Sequence, residues 1–154
     1  MKRITLFIVA LFFANLLSAQ DYSAEEIQLI QEVFGDEKRE IIAENINMEG
    51  VDTDAFWKLY DKYEAERKDI GQEKMELLKQ YTTKQGNMTP LQAQEMLSKA
   101  ANLRAAEDKL IMNYTKRIDK ISNPFVAVQF YQIEHYISDG IRFSLLNNID
   151  FIQD

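Results

Sequence analysis

Asn87-Met88-Thr89-Pro90-Leu91-Gln92 separates two long helical patterns and opens the second of them. Its spacing puts Thr89 at an N-cap, Pro90 at the first helical position and Gln92 at the third. A threonine hydroxyl at an N-cap accepts from the N3 backbone N–H, and a glutamine at N3 reaches back to the N-cap N–H. Proline at the first position gives up an N–H that the helix would not use. Met88, Thr89, Pro90 and Gln92 therefore predict a firm helix start, and capping alone accounts for these residue types.

Working outward, Phe56, Tyr60, Tyr63, Arg67, Ile70, Lys74, Leu77 and Tyr81 precede the cap at alternating steps of four and three. That is a heptad seam with two basic interruptions, and it predicts a helix over roughly residues 54–83. Beyond the cap the same steps recur at Met96, Ala100, Leu103, Glu107, Leu110, Tyr114, Arg117 and Ile121, predicting a helix over residues 90–121. Two helices of about 30 residues joined by a short turn at residues 84–87 should pack as a long antiparallel hairpin.

The flanks extend the helical reading. Ser23 and Glu26 form a further capping box before Ile27, Ile30, Val33, Phe34, Ile41 and Ile42, so a helix is expected over residues 24–45, with Gly35 able to bend or break it. Ser122-Asn123-Pro124 is a stop and a start, after which Phe125, Val126, Phe130, Ile133, Ile137 and Ile141 continue as a last helix. Residues 145–152 read as a weakly helical or extended arm. An offset of forty residues brings Asn47-Met48 onto Asn87-Met88 and Phe56 onto Met96, a faint repeat of loop and long helix. Its first copy lacks the capping box, because Glu49 and Asp52 stand where Thr89 and Gln92 do, and chance matching of periodicities accounts for it equally well.

Lys2 and Arg3 precede an apolar run from Ile4 to Leu17, and Leu17-Ser18-Ala19 offers a cleavage site before Gln20. This is the layout of a secretory signal, and the run is shorter than the roughly 20 apolar residues of a membrane span. The expectation is a signal peptide over residues 1–19, an exported chain over residues 20–154 forming one domain, and no membrane insertion after cleavage. Without residues 1–19 the chain keeps 16 basic and 25 acidic residues, and its formal charge moves from -7 to -9. Such a balance argues against nucleic acid as a partner. Five Gly and two Pro leave few turns, which again favours long helices.

Catalytic chemistry finds no foothold in the pattern. One His and no Cys fall short of the ligand sets that zinc requires. His135 beside Glu134 could start a carboxylate and imidazole site, but a surface or half-buried His fits the ligand count better. Met48, Met75, Met88, Met96 and Met112 could bind a soft metal, yet methionine at seam spacing is more often core filler or an adaptable binding surface. There is no phosphate loop and no nucleophile set. Neither enzyme activity, a cofactor nor a metal is expected. Phe56, Tyr60 and Tyr63 share one stripe and can fill a core, whereas Trp57 lies one step round the helix and could extend that core or face a partner.

Met88-Thr89-Pro90-Leu91-Gln92 also resembles the Leu-Thr-x-x-Gln motif of the periplasmic Spy and CpxP stress proteins. Two further blocks carry the likeness. Phe56-Trp57-Lys58-Leu59-Tyr60-Asp61-Lys62-Tyr63-Glu64 is similar to a Phe-Trp-x-x-Tyr-x-x-Tyr-Glu run of related small exported proteins, and Phe130-Tyr131-Gln132-Ile133-Glu134 with Ile141-Arg142 looks like their Phe-Phe-Gln-Ile-Glu stretch and Ile-Arg pair. Together the blocks cover roughly residues 37–152. Lys58 stands where the family has Pro and Met88 where it has Leu, departures that bear on mechanism more than on fold.

The resemblance implies an all-α, elongated four-helix domain of the periplasm with a long antiparallel hairpin, often a homodimer forming a curved cradle. It implies ATP-independent, chaperone-like capture of protein clients, or regulation of envelope stress through a membrane sensor protein. The alternatives are a dedicated signalling accessory or sensor for an extracytoplasmic sigma-factor or two-component system, and a metal-sensing module. Phe56, Trp57, Tyr60, Tyr63 and Met96 are the candidate contacts for a client or partner.

Overall fold

The computed structural model describes residues 37–84 and 86–146. Helix α1 covers residues 37–45, α2 Thr53–Lys84, α3 Pro90–Ile121 and α4 Pro124–Leu146; there is no strand among the described residues. The all-α expectation holds. The expected leader over residues 1–19, the first part of the expected helix before residue 37, Gln85 in the turn and the tail after Leu146 lie outside the described residues.

Local chemistry sets the helix starts. Ahead of α3, Gln92 N–H donates to Thr89 Oγ1 at 3.3 Å and Thr89 N–H donates to Gln92 Oε1 at 2.9 Å, so both bonds of the capping box are made with Pro90 at N1. Asn123 serves α4 in the same way, its Oδ1 accepting from the N–H groups of Phe125 at 3.0 Å and Val126 at 3.2 Å, again with a proline next. The start of α2 has a cap that the repeat comparison missed: Asp52 Oδ1 accepts from Ala55 N–H at 3.0 Å. Its loop turns at Gly50, whose φ of 74° is the left-handed conformation that glycine adopts without strain. The two copies of the faint repeat thus diverge at once, because α2 begins five residues after Met48 and α3 two residues after Met88. Thr89→Ala should lower stability by about 1 kcal/mol, read from urea unfolding, with the helix content at zero denaturant unchanged.

Side-chain contacts fix the hairpin's direction. Tyr63 and Glu66 meet Tyr114, and Lys74 further along α2 meets Glu107 further back on α3. Partners on α3 fall in number as those on α2 rise, so the helices are antiparallel. Each has 32 residues, about 48 Å at 1.5 Å per residue. The expected seam drifts toward the end of α3. Glu107, Leu110, Ile111, Tyr114 and Ile118 are the buried residues there, while Arg117 and Ile121 are exposed. A straight helix repeats every 3.6 residues, so a strict 3.5-residue pattern slips round the axis over several turns.

Packing divides the chain into two units. One spans Asn47–Tyr131: the α2–α3 hairpin and the first turns of α4, with a core of Phe56, Tyr60, Tyr63, Ile111, Tyr114, Ile118, Val126 and Phe130. The other joins residues up to Ile46 with α4 from Gln132 onward. In it Ile137 is buried against the half-buried Ile41, Ile133 and Ile141, beside an ion pair between Lys38 Nζ and Glu134 Oε2 at 2.6 Å. Both side chains of that pair are 1% exposed.

Candidate protein-binding surface

The aromatic residues singled out by sequence form an interlocked set in the unit over Asn47–Tyr131. Phe56 stacks on Tyr60 at 6.3 Å between ring centroids, Tyr60 is tilted against Tyr63 at 6.0 Å, and Phe130 meets the edges of both tyrosines at 6.5 Å and 5.2 Å. Tyr114 closes the set against Tyr63 at 5.3 Å. Edge-to-face pairs of this kind contribute about 0.5–1.5 kcal/mol each beyond the area they bury. Phe56, Tyr60, Tyr63 and Met96 are all buried, so in the folded subunit they act as core and offer no contact surface. The reason is their register: all four lie on helix faces that turn into the hairpin. Trp57 differs. Its ring meets the edges of Phe56 at 5.1 Å and Tyr60 at 5.4 Å, and it stays half-buried, at the border of core and solvent.

The basic interruptions of the α2 seam are absorbed by carboxylates. Arg67 Nε and Nη2 both donate to Glu64 at 3.0–3.1 Å, a forked bond one turn back on the same helix. Lys74 Nζ reaches Glu107 Oε2 at 2.6 Å across the hairpin, tying two seam positions by charge where apolar residues would otherwise meet. Tyr114 donates its hydroxyl hydrogen to Glu66 Oε1 at 2.6 Å, while Arg117 sits over its ring at 4.3 Å. Burial, then the bond to the Glu66 carboxylate, pushes the Tyr114 phenol above its ordinary 10.0. The folded form therefore holds this proton more tightly than the unfolded form. Its stabilising share is complete below about pH 10 and is lost as pH rises through the raised value. Stability measured between pH 9 and 12 should accordingly fall more steeply in the parent chain than in Tyr114→Phe.

Several large apolar side chains remain open to solvent. Leu97 is 72% exposed and Leu91 65% on α3; on α4 the figures are 82% for Phe125, 52% for Val128, 61% for Tyr136 and 70% for Phe143. Phe125 opens the apolar series that marks the last helix, and the structure divides that series between two faces. Val126, Phe130 and Ile137 do turn inward, and Phe125, a 100° step from Val126, does not. None of the six was a sequence candidate for binding. A second stripe with a period of 3.6, visible in α4 at residues 125, 128, 136 and 143, was the available signal.

Among the described residues no three His, Cys, Asp or Glu side chains are grouped so as to hold a metal ion. Glu134, the carboxylate next to His135, is held by Lys38. No described helix is long and apolar enough to cross a membrane. No family model, curated protein or solved structure matches the chain. The described residues leave large apolar side chains in solvent on helices whose remaining exposed positions are mostly polar or charged.

Proposed function

We propose that this chain is an exported, Spy/CpxP-like helical protein that acts by reversible binding of other proteins, as an ATP-independent chaperone or an envelope-stress regulator. The observation that carries this reading is the set of large apolar side chains left in solvent on α3 and α4, headed by Phe125 at 82% exposure. Large apolar side chains left in solvent among polar neighbours support a role in contacting other proteins. The all-helical architecture, the long hairpin and the Thr89 capping box agree with the fold that the sequence motifs imply. The apolar lead-in at residues 4–17 supports export to the periplasm.

Binding through this surface needs no fuel. Apolar contact contributes roughly 25 cal/mol per Å² and is non-directional, so it tolerates clients of varied sequence. The acidic character of the chain keeps the complex soluble. A chemically denatured client, diluted until it aggregates, tests the reading by light scattering. Suppression near stoichiometric ratios, with an inert acidic protein at equal mass giving none, is the expected result. Unchanged scattering across a wide excess would remove general capture and leave a dedicated partner, such as a membrane sensor, as the surviving form of the proposal.

A further inference from the structure

The buried residues of the α2–α3 hairpin are gathered toward one end. On α2 they are Phe56, Tyr60, Tyr63 and Glu64, all near its start, and on α3 all but Met96 lie from Glu107 onward. The Lys74–Glu107 ion pair marks the boundary. Beyond it, over residues 75–84 of α2 and 90–106 of α3, Met96 is the only buried side chain among the described residues. Leu77, Leu78, Tyr81 and Leu103 are half-buried there.

Local chemistry at this end favours parting. Apolar burial holds paired helices together, and the exposed Ala100, Ala101, Ala105 and Ala106 of α3 have little area to give. On α2, Thr82 and Thr83 both turn their hydroxyls back to the Lys79 carbonyl, at 3.1 Å and 2.7 Å, a bond that weakens a helix. Gly71, one turn before Lys74, is a further weak point inside α2. Residues 75–84 are too few to stay helical alone, since isolated helices shorter than about 12–15 residues are marginal in water. The boundary pair parts readily as well, because the Lys74 side chain is 37% exposed and water replaces the carboxylate. At the base, by contrast, Phe130 of α4 packs as a third element against Tyr60 and Tyr63.

We propose that this end of the hairpin opens by itself, residues 75–84 of α2 leaving residues 90–106 of α3 while the base stays folded. Such an opening is a conformational device built into the fold, a partial transition that lies below complete unfolding in free energy. It uncovers Leu77, Leu78, Tyr81, Met96 and Leu103 together. Alanine favours the helix even without a partner, so the change is concentrated in α2. On the reading that exposed apolar side chains capture proteins, the uncovered line adds to the client surface. That second step rests on the capture reading, and the opening itself does not.

Native-state hydrogen exchange of the intact chain, read by mass spectrometry at zero and low urea, tests both. Relative to intrinsic rates, residues 75–83 are expected to exchange at least about tenfold faster than residues 56–64 and 110–118, with a weaker urea dependence, because opening exposes less surface than unfolding. Ile118→Val separates the two processes. It should speed exchange at the base by about fivefold, the usual effect of that replacement at a fully buried site, and leave residues 75–83 unchanged. The reason is that Ile118 is packed alike in the open and closed forms. Equal protection at both ends of the hairpin, or an equal response of both to Ile118→Val, would overturn the opening. A denatured client, at the ratio that suppresses its aggregation, should speed exchange over residues 75–83 further while the base holds, because a ligand of the open form draws the population toward it. Unchanged or slower exchange there would overturn the uncovered line as a client surface. If the chain suppresses no aggregation, the capture reading fails and the client step with it, while the comparison of the two ends still decides the opening.

Discussion

Lys38→Met is expected to destabilise the chain by about 3–5 kcal/mol, the cost of breaking a buried ion pair by removing one partner. Lys38 and Glu134 meet at 2.6 Å with each side chain 1% exposed, so both ions have given up their water. The pair itself contributes little net stability, because the desolvation of two ions roughly offsets their attraction. Removing one member is different. It takes this cation away from a carboxylate that is 1% exposed. Replacing both, as Lys38→Met with Glu134→Leu, should recover most of the loss, since an apolar pair of similar volume avoids the desolvation altogether. Urea unfolding of the two single variants and the double variant checks this, and additive losses in the double variant would contradict it.

Phe130→Ala should cost about 3–5 kcal/mol, because it deletes a fully buried ring that touches both Tyr60 and Tyr63 and leaves a cavity among stiff neighbours. Domains of this kind are stable by only about 5–15 kcal/mol in total, so thermal unfolding should become broad or shift far down. Phe125→Ala provides the contrast. The same residue type five positions earlier on the same helix is 82% exposed, and its loss should change stability by no more than about 0.5 kcal/mol. Equal effects for the two variants would mean that the division of α4 into buried and exposed faces is wrong.

Helix boundaries were legible wherever capping chemistry is local. Thr89, Pro90 and Gln92 mark the start of α3 to the residue, and Asn123-Pro124 does the same for α4, because the groups that satisfy the free N–H donors sit within three positions of one another. The aromatic core was legible as a periodic stripe through Phe56, Tyr60 and Tyr63. The same stripe also reads as a partner surface, and period alone does not separate the two roles. What separates them is which second helix arrives, and that is a non-local fact. The pairings Lys74 with Glu107 and Lys38 with Glu134 were invisible for the same reason, since each joins residues far apart in the chain. The exposed line on α4 could have been found, but helices are usually read for one apolar face, and α4 has two.

Reversible protein capture through exposed apolar side chains is the claim on which the functional account depends. The most direct test is the affinity of the intact chain for a fluorescently labelled, denatured client, measured by anisotropy for the parent and for Phe125→Ser with Tyr136→Ser. Truncating an aromatic anchor at a binding surface costs about 2 kcal/mol or more, so the account predicts saturable binding that weakens at least about tenfold in the variant, with its melting temperature held. Equal binding by both proteins would place the contact elsewhere, and no binding by the parent at any concentration tested would contradict capture itself.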